Sequence, residues 1–174
     1  RPELTTTVRV LWSNNALYLA YESPYTELTM FTPARGEGDA ERYAMDQPDA
    51  SLWDRDVVEV FIASEPEKLR HYAEFQVAPT NEKLDLLLDS SRRDFAWSSG
   101  FLSAVKVDPH AKRWTCEMRI PLKALTATPP KAGTQWRLNF FRCDRANNAF
   151  LAWNPTLSRS FHVPEKFGVL EFVE

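Results

Sequence analysis

Apolar and polar residues alternate with a period of two along most of this chain, the spacing that puts successive side chains on opposite faces of a strand. In VRVLW, Val8, Val10 and Trp12 share one side, and in ALYLAYE, Leu17, Leu19 and Tyr21 do the same. Between them lies SNN, in which Asn14 and Asn15 tolerate the left-handed backbone of a tight turn, so the two runs predict a β-hairpin. Further runs follow in LWDRDVVEVFIAS, HYAEFQVAP, KLDLLLDS, FLSAVKVD, RWTCEMRIP, QWRLNFFRCD and FGVLEFVE, each bounded by turn-forming or charged residues. The stretch from Pro24 to Ala50 holds glycines, prolines and acids with no sustained period, and is expected to be a long loop crossing one end of the fold. One brief helix is expected near Leu122 to Leu125. About eight to ten short strands of this kind predict an all-β protein, an antiparallel β-sandwich. A doubly wound α/β fold is excluded, because amphipathic helices are missing.

Within LWDRDVVEVFIAS the alternation separates Val58, Val60 and Ile62 from Val57, Glu59 and Phe61. One face therefore reads as core and the other carries an acid, with Trp53 at the strand entry. The same division sets Phe75 and Val77 against Glu74 and Gln76, and Trp136, Leu138 and Phe140 against Asn139 and Phe141. If the apolar sets form the core, Glu59, Gln76, Asn139 and Phe141 share the opposite face. An aromatic plate beside an open carboxylate and amides suits a sugar, whose C–H faces stack on rings and whose hydroxyls need planar polar partners. The plainer alternative is an ordinary solvated sheet face, with Glu59 merely hydrated and Trp53 capping the core.

Composition narrows the partners. The chain has 174 residues, 44% of them hydrophobic and 26% charged, enough for one full core, and a single domain over 1–174 is expected. A net charge of −3 with scattered basic residues argues against a nucleic-acid partner. The lack of a long apolar run argues against a membrane-spanning helix. The amino terminus enters a strand pattern almost at once, so any signal peptide is expected to have been removed or never present. Cys116 and Cys143 lie in strand-like segments and could be bridged or be buried free thiols. His71, His110 and His162 lack ligand spacing and read as structural or surface residues. Trp12, Trp114 and Trp136 read as core, and Trp153 as buried support for Phe161. Trp97, in a Ser-rich loop near Arg92 and Arg93, is a candidate rim aromatic.

Two longer motifs carry a resemblance. The strand entry W-x-x-D-x-V-E-[VI]-F-[IL] spans Trp53 to Ile62, and the ending W-N-P-T…F-H-x-P-E-x-F-G-x-L spans Trp153 to Leu170. Together with VRVLW…ALYLAYE, YAEFQV, WTCEMRIPLKAL and WRLNFFRCD, they make the chain resemble the family 9 carbohydrate-binding modules and their DOMON-like, jelly-roll-like sandwich relatives over nearly its whole length. In that family two rings form a slot around a sugar, which the resemblance places on Trp53 and Phe161. The family's acid falls on Glu59, and its next-strand polar group, arginine in some members, on Gln76. Phe141 stands where some members have a glutamine, and Ser158 and Arg159 stand where they have loop amides, so this chain departs from the family pattern at those positions. Family members usually have an upstream segment with an Asp-Gly turn and a tryptophan, which the chain lacks. A structural calcium is compatible with the resemblance, but its family ligands would lie in that segment.

The resemblance implies non-catalytic binding of an oligo- or polysaccharide, outside the cell or in the periplasm, with a glycoside hydrolase in the same system as an expected partner and no other cofactor. It further implies recognition of a terminal glucose- or xylose-type unit. A haem-binding electron-transfer domain is the alternative on the same sandwich, whose relatives bind haem through axial Met and His; Met118 lies on a strand face expected to be core, and no histidine pairs obviously with it. Hydrolysis would need two carboxylates across a bond. Asp54, Asp56 and Glu59 instead crowd one short segment, with no acid from a matched motif facing them.

Overall fold

The computed structural model describes residues 1–32 and 51–174, so most of the expected loop between Pro24 and Ala50 lies outside the described residues. Strands β1 (Thr7–Trp12) and β2 (Ala16–Pro24) form the expected hairpin, with Val10 opposite Leu19. They join β8 (Arg113–Pro121) and β7 (Leu102–Asp108) in a four-stranded antiparallel sheet ordered β1-β2-β8-β7. The second sheet is built on β3 (Val57–Ala63), β4 (His71–Val77), β5 (Lys83–Asp89), β6 (Arg92–Asp94), β9 (Gln135–Asp144) and β10 (Ala149–Ala152), ordered β10-β9-β3-β4-β5-β6. A last strand, β11 (Gly168–Glu171), pairs with the start of β9. The one α-helix among the described residues, α1 (Leu122–Leu125), sits where expected. The chain is thus an all-β antiparallel sandwich. Strands β6 and β10 were not foreseen, because three or four residues carry too little alternation to register.

The two sheets meet over Leu17, Leu19, Tyr21, Val58, Val60, Ile62, Phe75, Trp114, Met118, Trp136 and Leu138, all buried. Met118, the axial ligand of the haem alternative, is packed in this layer at 2% exposure. Cys116 and Cys143 are free thiols, on β8 of one sheet and β9 of the other. At one end of the layer the Arg142 guanidinium ties the sheets together. It donates to the carbonyls of Leu4 and Pro24 and to Thr6 Oγ1, and pairs with Asp144 at 2.8 Å. Both partners are almost fully buried, so their charges are tolerable only because each is offset by the other and by these carbonyls.

The second face of the larger sheet is also covered. Val57, Phe61, Tyr72, Leu84, Leu86, Leu88, Phe141 and Cys143 form a separate apolar cluster with Leu52 and Phe167. β3 is consequently buried at every residue, and the expectation of an open, solvated face around Glu59 does not hold. The covering chain runs back from β11 through Phe167 to the 154–164 loop. Its approach is close at Gly168, where an added Cβ would run into the Trp153 ring and the Asn154 side-chain amide. Replacing Gly168 with alanine should therefore displace this corner and lower stability by about 1–3 kcal/mol; urea unfolding measures it, and an unchanged midpoint would mean that the corner yields freely.

Candidate functional site

Over the covered face the apolar cluster opens into a cleft of about 600 Å³. Its floor comes from β3 and β4, where the register sets Glu59 opposite Gln76 and Phe61 opposite Glu74. These four alternate positions face the same way, so the cleft is lined by Glu59, Glu74, Gln76 and Phe61. One wall is the loop that follows Trp153, contributing Ser158, Arg159, Phe161 and His162. The other walls hold Trp53, from the Leu52–Asp54 3₁₀ turn, together with Phe95, Arg93, Arg145 and Phe150.

Several hydrogen bonds fix these walls. Asp56 is buried and accepts from the backbone N–H of Arg145 at 2.7 Å and of Thr29 at 3.1 Å. Arg145 then reaches back, its Nε donating to the Trp53 carbonyl at 3.0 Å, while its guanidinium lies 4.9 Å from the Phe150 ring centre. The tryptophan turn is thereby pinned from below. Asn139 works in the same manner on the opposite wall. Its side-chain nitrogen donates to the Asn154 carbonyl at 2.7 Å, and its oxygen accepts from the N–H groups of Asn154 and Phe140. Leu157 adopts a left-handed φ of 55° in that loop and is 87% exposed at the cleft rim, an unusual conformation for a branched apolar residue.

Of the residues the sequence nominated, Trp53, Glu59, Gln76, Ser158, Arg159 and Phe161 line the cleft. Asn139 and Phe141 share the sheet face but not the cleft. Asn139 is fully buried, its amide committed to Asn154, and Phe141 lies under Phe161, the rings stacked at 4.2 Å and 14°. Phe141 thus supports Phe161, the role expected of Trp153. Trp153 itself is 52% exposed and leans on Phe140 and Gly168. Trp97 is no rim residue: it is half-buried and packs edge-on against Phe75 of the inter-sheet core. Sequence reasoning missed Glu74, Arg93, Phe95, Arg145, Phe150 and His162. Glu74 was legible, two residues before Gln76 on the same face. The others depend on β6, β10 and loop positions that alternation does not encode.

The floor is electrostatically unusual. Glu59 and Glu74 are buried at 2% and 3% exposure, on diagonal positions of neighbouring strands. Desolvation, then the nearby Glu74 charge, pushes Glu59 well above the usual carboxylate range, and desolvation raises Glu74 to about 7. Cys143 Sγ lies 3.5 Å from Glu59 Oε1 and donates to it, while Gln76 donates to Glu74 Oε1. Two floor atoms, Glu74 Oε2 and Gln76 Oε1, are buried with no hydrogen-bond partner. His162 stacks on Phe61 at 5.1 Å, its Nδ1 2.9 Å from the Tyr72 hydroxyl, and burial lowers its pKa to about 4. Glu74, in the YAEFQV segment, supplies a second acid, and both carboxyls lie on the same face of the same sheet. Among the described residues no group of three or more acids, histidines or thiols could hold a metal ion, and no calcium is assigned.

This geometry defines the class: a β-sandwich with a ligand-sized, aromatic-walled cleft on a sheet face. The chain belongs to the carbohydrate family 9 binding domain-like family, whose match spans residues 1–174. An extracellular protein of Arthroderma benhamiae is 26% identical over 99% of this chain and 81% of its own length. Among solved structures, one described as a candidate carbohydrate-binding protein from Bacteroides uniformis superposes with a TM-score of 0.76 at 20% identity, covering 97% of this chain and 78% of that one. A family 9 carbohydrate-binding module from Caldicellulosiruptor kristjanssonii in complex with cellotriose gives a TM-score of 0.66 at 17% identity, covering 98% and 76%.

The buried acids and His162 predict opposite pH dependences. Glu74 keeps its proton in the folded chain up to about 7, whereas the unfolded chain releases it near 4.5. Its contribution to stability is full at low pH and is lost as pH rises through 7. His162 stays neutral when folded down to about 4, whereas the unfolded chain protonates near 6.5. Its contribution is full at high pH and is lost as pH falls towards 4. In denaturant unfolding, Glu74→Gln should flatten the decline that accompanies rising pH between 4.5 and about 7, and His162→Asn the decline that accompanies falling pH between 6.5 and about 4. Parallel profiles for variant and parent would show that these groups titrate normally.

Proposed function

We propose that this chain is a non-catalytic sugar-binding module that seats a terminal glucose- or xylose-type unit between Trp53 and Phe161. The observation that carries the reading is the pair of unpartnered buried atoms, Glu74 Oε2 and Gln76 Oε1, on the floor of an aromatic-walled cleft. Buried polar atoms are almost always paired. Here ring hydroxyls supply the missing partners, donating to Gln76 Oε1 and to Glu74, while Glu59 accepts from a neighbouring hydroxyl. Trp53 and Phe161 cover the C–H faces of the same ring. Phe161 suits this role because Phe141 backs it, so little side-chain freedom is lost on binding.

Family membership supports carbohydrate as the ligand class, and the cellotriose complex supports a β-linked oligosaccharide for a protein of this fold. A location outside the cell accords with the extracellular relative from Arthroderma benhamiae. A glycoside hydrolase acting in the same system is the natural partner for a module of this kind. Ser158, at the lip of the loop, adds a hydroxyl for the outward edge of the sugar.

Calorimetry with cellotriose tests the reading. Trp53→Ala and Phe161→Ala should each weaken binding by about 1–3 kcal/mol with cooperative unfolding retained, while Phe161→Trp should preserve binding. Affinity unaltered by either alanine variant would move the sugar elsewhere. Borohydride reduction of the terminal ring to an open alditol should abolish binding, and equal affinity for both forms would replace the terminal slot with an open groove.

A further inference from the structure

Two arginine side chains of the cleft make no direct contact with an acid among the described residues, although Arg93 is near enough to favour the charged form of Glu74. Arg93 extends from β6 and Arg159 from the 154–164 loop; both line the cleft and both are exposed. Neither side chain has a hydrogen bond or a close ion pair among the described residues. Arg145, the third guanidinium of the cleft, is spent on the Trp53 carbonyl, the Phe150 ring and Asp54 at 3.9 Å. Some surface arginines away from the cleft do have acidic neighbours, as Arg70 has Glu165 and Arg113 has Glu22.

We propose that the sugar this cleft takes carries a carboxylate, as a uronic-acid unit does, and that Arg93 and Arg159 recognise that group. The inference rests on the sugar-binding reading and narrows its ligand class. A neutral sugar closing over the cleft would strip water from two guanidiniums without supplying an opposite charge. A carboxylate meets the planar fork of each arginine with two parallel N–H···O bonds, a match that hydroxyls alone do not provide. The rest of the lining does not neutralise the arginines in mildly acidic solution. Burial holds Glu59 and Glu74 protonated there, and Cys143 and Tyr72 stay uncharged, as does His162 above about 4. A protonated Glu74 also offers an O–H to an anionic ligand, a donor that a carboxylate floor would lack.

Cellotriose and its C6-oxidised counterpart, in which each primary alcohol is a carboxylate, differ only in the group at issue. Titrated into the whole chain at pH 6 and low salt, the oxidised trisaccharide should bind about tenfold tighter than cellotriose. Salt should shrink the advantage, because only the charged ligand is screened. In Arg93→Gln and Arg159→Gln the ratio of the two affinities should fall towards one. Cellotriose bound as tightly as the oxidised form, or more tightly, overturns the inference and leaves the sugar reading standing. An advantage that persists in both variants overturns the assignment to these arginines, and binding of neither trisaccharide overturns the inference together with the reading beneath it.

Discussion

The register of β3 between β9 and β4 is the constraint on which the site depends. Because side chains alternate, the same pairing that drives Val58, Val60 and Ile62 into the inter-sheet core sets Val57, Glu59 and Phe61 under the covering loops. A slip of one residue would exchange the two sets, bringing Glu59 into the apolar layer and Val58 into the cleft. The core thus enforces the site: the cost of burying Glu59 between the sheets disfavours any slip by an odd number of residues.

Holding acids in a second buried layer has its own cost. Glu59 and Glu74 lie in a pocket of low dielectric, where a proton is retained at the expense of charge. Such a floor is poorly satisfied by the protein itself, as the free Oε2 of Glu74 and Oε1 of Gln76 make plain. The walls, by contrast, are over-determined. Asp56 fixes Arg145, and Arg145 fixes the Trp53 turn; Asn139 fixes Asn154, and Phe141 backs Phe161. Rigid walls around an unsatisfied floor concentrate the gain from a ligand on a few polar atoms, since little side-chain freedom remains to be lost on binding.

How much of this was legible follows from which interactions alternate along the chain. The sandwich, the hairpin at Asn14 and Asn15, α1 and the division of β3, β4 and β9 into faces all derive from local pattern, and the structure matches them. What the pattern could not convey was that the second face is itself covered. Phe167 and Phe161 come from loops more than ninety residues beyond β3, and nothing in the VVEVFIA run distinguishes a solvated face from one roofed by distant chain. For the same reason Asn139 and Phe141 were read as ligand-facing: face was predictable, but which residues on a face lie beneath a loop was not. Arg93 and Phe150 belong to strands too short to show a period. Trp153 was misjudged because a tryptophan beside Asn-Pro reads as buried, whereas here its ring lies partly open over Gly168.

The distribution of roles between sheet and loops also bears on specificity. Residues on β3 and β4 present unpartnered acceptors, Glu74 Oε2 and Gln76 Oε1, which any hydroxyl can meet, so the floor alone is a poor discriminator. Arg93, Arg159, Phe150 and Leu157 all line the cleft from the short edge strands β6 and β10 or from the 154–164 loop. Rim positions can change without disturbing the register that holds Glu59 and Gln76 in place, because their side chains take no part in the inter-sheet core. A scaffold of this kind separates two demands: the doubly buried strand secures the fold and the polar floor of the cleft, and the loops set the shape and charge of its rim.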